Sequence, residues 1–124
     1  MVYWITGKSS SGKTVYAKRI KRQFESLGIK VLHLDGDEVR DLTADNDYTD
    51  EAREKHIMTI AKFAAIAEKQ GFIVIIALIS PKKEWRMKAR KLFNKSMLIY
   101  MPGGFLWEGT EYEDPDHEEM MVEG

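Results

Sequence analysis

Gly7-Lys8-Ser9-Ser10-Ser11-Gly12-Lys13-Thr14 decides how the rest of the chain reads. It matches G-x-x-x-x-G-K-[ST] at every fixed position, and its flanks supply the context that gives the motif meaning. Val2 to Thr6 before it is short, apolar and β-rich; a helical pattern from about Lys13 to Leu27 follows, with Val15, Ile20, Phe24 and Leu27 as its apolar stripe and Gly28 as its stop. The two glycines let the backbone close around phosphate oxygens, so that successive amides form a donor surface at the positive end of a helix dipole. Residues 7 to 14 are thus expected to bind the phosphates of a nucleoside triphosphate, ATP in the first instance. Lys13 would reach the β and γ phosphates, and the Thr14 hydroxyl would bind Mg2+.

Beyond that stretch the pattern alternates strand with helix. Lys30 to Leu34 reads as a strand running into Asp35-Gly36-Asp37, where the glycine permits a turn. Thr49 or Asp50 can cap a long helix from about Glu51 to Gln70. Phe72 to Ile79 is an uninterrupted apolar run, the signature of a central parallel strand. Ser80-Pro81 then opens a basic helix, read as extending to Lys95, and Met97 to Met101 makes a fourth strand. The expected fold class is α/β, a three-layer α/β/α P-loop fold with a parallel sheet of about four to five strands and helices on both faces.

Composition narrows the setting. The chain has 124 residues, 44% hydrophobic and 31% charged, enough for one core. It contains no cysteine, which excludes disulfides, thiolate metal sites and a cysteine nucleophile. No apolar run is long enough to span a bilayer and no signal peptide is recognisable, so the cytoplasm is the expected location, the host's if the source is a virus. Eight acids lie after Trp107, leaving 19 basic residues against 12 acidic ones before it, a net +7. A basic body suits an anionic substrate or nucleic acid. Residues 1 to 107 read as the P-loop domain and 108 to 124 as an acidic tail, wrapping or partly disordered. Its charges read first as solvated, with an intramolecular cover or a partner-binding strip as alternatives.

Hydrolases of this class place an aspartate at the end of the strand beside the P-loop strand, but here that strand ends in Leu78-Ile79-Ser80. The carboxylates come instead after the second strand. Asp37 is expected to orient and deprotonate an acceptor hydroxyl, and Asp35 to support the metal through water. With Lys13 they form the expected catalytic set of a phosphotransferase with an alcohol acceptor. The simpler reading of Asp35 and Asp37 is a turn or a helix cap.

These residues resemble the adenylylsulfate kinases over most of residues 3 to 90. Leu34-Asp35-Gly36-Asp37-Glu38-Val39-Arg40, Tyr48-Thr49 with Arg53, Ile79-Ser80-Pro81 and Ala89-Arg90 look like motifs of that family, and Gly109 to Pro115 echoes its carboxyl-terminal segment. The resemblance implies ATP and Mg2+ as cofactors, substrate anion contacts from Arg40 and Arg53, and substrate-side roles for Ser80 and Tyr48. It leaves a homodimer open. The sequence departs where the family has Asn and two arginines, with His56 and Met58-Thr59 instead, and where the family has a basic lid, with Pro102-Gly103-Gly104 following strand four directly. His56 reads as an ordinary helix residue. The open, basic site makes hydroxymethylated pyrimidine in DNA or as a nucleotide, as taken by related kinases of bacterial viruses, a second acceptor class. The basic helix from Lys82 and the aromatics Trp85, Phe105 and Trp107 would serve it. A non-catalytic nucleotide-binding module is the alternative of another kind.

Overall fold

The computed structural model describes residues 1–43, 49–106 and 111–121. In chain order they form β1 (Val2–Gly7), α1 (Lys13–Ser26), β2 (Val31–Asp35), α2 (Gly36–Thr43), α3 (Asp50–Lys69), β3 (Ile73–Ala77), α4 (Lys83–Arg90), β4 (Ser96–Met101) and α5 (His117–Met121). The four strands make one parallel sheet in the order β2-β3-β1-β4. Helices cover both faces, as the alternating pattern predicts.

Strand alternation divides the core in two, because successive side chains point to opposite faces. Val2, Trp4, Val74, Ile76 and Leu98 pack with Ile57, Ile60, Ala61 and Ala64 of α3 and with Trp85 and Ala89 of α4. Ile5, Ile75 and Ala77 face the other way, onto Ala17, Tyr16 and Ile20 of α1. Ile60 and Ile76 are fully enclosed, each contributing about 2 kcal/mol by leaving water. Thr49 caps α3, its hydroxyl accepting the Ala52 amide at 3.3 Å.

Three local expectations change. The apolar stripe of α1 is half the one read from sequence: Ile20 and Phe24 pack inward beside Ala17 and Tyr16, whereas Val15 is 65% and Leu27 74% exposed. Gly36 is not a turn glycine but the first residue of α2, and its need is space, since a Cβ there would lie 2.8 Å from that of Leu78. The basic helix is shorter than expected and starts later, at Lys83. Ser80 therefore does not cap it; Lys82, in extended backbone, precedes its first turn.

The charges of α4 are largely committed within the protein. Arg86 and Arg90 are buried, and Lys82, Lys83 and Lys88 pair with Asp50, Asp116 and Glu54. Trp85 belongs to the core and is 5% exposed. Nor are the acids after Trp107 all solvated: Glu119 is 1% exposed and bonded to Arg86. Among the described residues no helix is long and apolar enough to cross a membrane.

Candidate active site

The carboxyl ends of β2 and β3 and the glycine loop that follows β1 open into a cavity of about 1010 Å3. That is where parallel α/β sheets gather ligands, because loops and helix N-termini converge there. The cavity is lined on one side by Ser9 to Val15 and on the other by Asp35, Gly36, Asp37, Arg40, Arg53, His56, Ile57 and Ala77 to Pro81.

Backbone geometry prepares the glycine loop for an anion. Ser10 and Gly12 both hold positive φ, 59° and 93°. Gly12 stands at the N-cap of α1, no side chain caps that terminus, and no acid occupies its first turn. The first amides of a helix lack internal acceptors, so this end offers donors and a positive dipole to phosphate. Lys13 Nζ donates to the Lys8 carbonyl at 2.6 Å. Burial pushes its ammonium below the ordinary lysine value, with Asp37 and then Asp35 opposing the shift. Gly7 and Lys8 do not line the cavity. Gly7 instead lets β4 approach, because a Cβ there would lie 2.6 Å from the Met101 carbonyl oxygen.

The segment after β4 braces this loop. Phe105 N donates to the Ser9 carbonyl at 2.9 Å, and Gly104 rests so close to the loop that a Cβ would fall 2.3 Å from that same oxygen. Phe105 is 47% exposed.

Across the cavity, Asp35 does two jobs. Its Oδ1 accepts the Asp37 amide at 3.0 Å, which caps α2, and its Oδ2 accepts the Thr14 hydroxyl at 2.8 Å. Asp37 follows in the first turn of α2, exposed to the cavity. Arg40, one turn further, and Arg53 of α3 line the same space. Ser80 lines it too, with its hydroxyl accepting Trp4 Nε1–H at 3.0 Å. Of the candidate residues read from sequence, Tyr48 lies outside the described residues, as does Trp107.

One polar side chain in the lining was not anticipated as a site residue. His56 is 8% exposed, and its Nε2 lies 3.2 Å from the Gly36 carbonyl oxygen, between Asp35 and Asp37. The signal was present: His56 stands three residues after Arg53, on the same face of α3.

Thr14 and Asp35 together suit a small hard cation, which takes oxygen donors and keeps several waters. Among the described residues no cluster of three or more His, Cys, Asp or Glu could hold a metal by itself. Magnesium at this place would share its coordination with phosphate oxygens.

Comparison with known proteins adds a family. The adenylylsulphate kinase family model matches residues 1–104. A probable adenylyl-sulfate kinase of Archaeoglobus fulgidus is 31% identical over 98% of this chain and 94% of its own length. The adenylyl-sulfate kinase of Burkholderia ambifaria is 36% identical over 92% of this chain, which spans only 64% of that relative. Among solved structures, the Mycobacterium tuberculosis APS kinase CysC in complex with AMPPNP and APS superposes with a TM-score of 0.77 at 29% identity, over 82% of this chain and 61% of that one.

Proposed function

Because the chain belongs to the adenylylsulphate kinase family, we propose that it transfers the γ-phosphoryl group of ATP to the hydroxyl of adenylylsulfate. The convergence of Lys13, Thr14, Asp35, Asp37, Arg40 and Arg53 on one cavity at the sheet's carboxyl edge carries this reading. A related structure holding AMPPNP and APS supports the pair of ligands.

In this account the amides at the start of α1 hold the triphosphate, and Lys13 gives up its bond to the Lys8 carbonyl to reach the β and γ oxygens. The Thr14 hydroxyl, and Asp35 through water, would hold magnesium, whose charge would offset that on those oxygens. Asp37 orients the acceptor hydroxyl and takes its proton as the oxygen bonds to the γ phosphorus. The bond from that phosphorus to the β-γ bridging oxygen breaks, and ADP leaves. Arg40 and Arg53 bind the anionic groups of the acceptor, the planar guanidinium matching sulfate or phosphate oxygens. Ser80 contributes to the acceptor wall.

Hydroxymethylated pyrimidine in DNA is the competing acceptor. The net +7 of residues 1 to 107 favours it, but the basic helix that was to receive DNA has its arginines buried and three of its lysines paired. Incubating γ-labelled ATP with adenylylsulfate, with hydroxymethyluracil DNA, or with no acceptor decides the matter. Label on adenylylsulfate with weak salt dependence is expected. Label on DNA that falls steeply with salt would replace the acceptor, and label on neither would leave a nucleotide-binding module.

A further inference from the structure

The wall of the cavity opposite the glycine loop is held by side chains that the transfer mechanism does not use. Ser80 holds φ 46°, left-handed backbone that a non-glycine residue keeps only when its surroundings over-determine it. Three consecutive carbonyls fix this turn from outside. Ile79 O accepts the Thr6 hydroxyl at 2.7 Å, Ser80 O accepts Arg86 Nη1–H at 2.7 Å, and Pro81 O accepts the Glu113 amide at 2.7 Å.

Each of those donors leads to the carboxyl-terminal segment. Glu113 belongs to it. Thr6 Oγ1 lies 2.9 Å from the Tyr112 hydroxyl. Arg86, with no exposed surface, donates from Nε to Glu119 Oε1 at 2.6 Å, and from Nη2 to Glu119 Oε2 at 3.0 Å and to Glu113 O at 2.7 Å. A guanidinium cannot shed its proton, so burying it requires a counter-charge, and Glu119 is that charge. Glu119 is placed in turn by Arg90, which donates to its carbonyl at 3.1 Å, and by Asp116 Oδ1, which accepts its amide at 2.7 Å.

We infer that residues 111–121 form an intramolecular clamp that sets the acceptor-side wall, with Arg86 and Glu119 as positioning residues acting through the carbonyl of Ser80. Neither side chain lines the cavity. That the wall faces the acceptor rests on the function proposed above; that the clamp shapes the wall does not. The nucleotide side is built on the glycine loop and the start of α1, which the clamp does not touch, so loosening the clamp should affect the two substrates differently.

The test uses the full chain with Glu119→Gln, which nearly keeps shape but removes the charge, and Arg86→Lys, which keeps a charge but loses the planar fork. Expected are a rise of at least tenfold in KM for adenylylsulfate, affinity for AMPPNP within twofold by calorimetry, and a shifted Trp4 indole N–H resonance, because Trp4 bonds directly to Ser80. Arg86→Lys should retain more thermal stability than Glu119→Gln without recovering the acceptor KM. An acceptor KM within twofold with an unmoved Trp4 resonance overturns the inference, as does nucleotide affinity falling in step with acceptor affinity. Should the parent not phosphorylate adenylylsulfate, the function fails while the clamp is still decided: a moved Trp4 resonance at constant AMPPNP affinity supports it, and an unmoved one overturns it. If Glu119→Gln does not fold, the same readings on Arg86→Lys decide.

Discussion

The Thr14 hydroxyl donates to Asp35 Oδ2 at 2.8 Å, joining the start of α1 to the end of β2 although β3 separates β2 from β1 in the sheet. This bond sets two hard oxygens side by side at the rim of the glycine loop. The same carboxylate caps α2 through the Asp37 amide, so the starts of α1 and α2 share one side chain.

That sharing can be separated. Asp35→Asn keeps the acceptor that caps α2 but puts an NH2 group where Oδ2 accepts the Thr14 hydroxyl, so its unfolding free energy should fall by no more than the roughly 0.5–1.5 kcal/mol of one hydrogen bond. The magnesium concentration for half-maximal activity should rise roughly 10- to 100-fold, the range seen when the partners of a metal site are altered. Magnesium titration of the rate and urea unfolding check the two halves independently.

Gly104 and Gly103 make a controlled pair. Both hold positive φ, but only Gly104 is pressed against the loop, with Ser9 O and Ser11 N as nearest backbone neighbours, whereas nothing lies within 4 Å of a Cβ on Gly103. Gly104→Ala should lower AMPPNP affinity at least tenfold by displacing Ser9. Gly103→Ala should cost about 1–2 kcal/mol of stability from left-handed backbone and leave nucleotide affinity unchanged. Calorimetric titration of both variants measures the difference.

Breaking the buried pair should be expensive. Arg86→Met alone leaves the Glu119 carboxylate unmatched, and a loss of about 3–5 kcal/mol is expected. The double variant Arg86→Met with Glu119→Leu should recover most of that stability, because buried ion pairs are often no better than apolar packing. It should not recover the acceptor KM, since Ser80 O has lost its donor. Urea unfolding and steady-state kinetics on the same preparations make the comparison.

Tyr112 predicts an alkaline loss. Burial pushes its phenol up to about 12, with the Thr6 hydrogen bond and then Arg86 opposing. A folded value above the unfolded one means that its stabilisation is complete below the unfolded value of 10.0 and is lost as pH rises towards 12. The stability difference between parent and Tyr112→Phe should therefore shrink across that window. A difference that stays constant from pH 9 to 12 would contradict this.

Much of the fold was legible because its signals are local. The run Phe72 to Ile79 and the motif from Gly7 to Thr14 located β3, β1 and α1 within a few residues, and the carboxylates at the junction of β2 and α2 fell into the cavity with Arg40 and Arg53. What stayed hidden depends on partners distant in sequence. Arg86 and Glu119 are 33 residues apart, and each alone looks like a solvated charge. Which side of α1 the sheet covers depends on contacts distant in sequence, so the apolar Val15 and Leu27 could not be told from Ile20 and Phe24 by spacing alone. His56 gained its place only when α2 laid its first carbonyl against α3.

The Asp37→Asn variant tests the central assignment most directly. Single-turnover transfer from γ-labelled ATP to adenylylsulfate should fall by about 100-fold or more, as expected when a positioned general base is removed, with AMPPNP affinity within twofold of the parent. Lys13→Ala should cripple transfer as well, with or without weaker nucleotide binding. An Asp37→Asn enzyme that turns over at the parental rate would contradict the account.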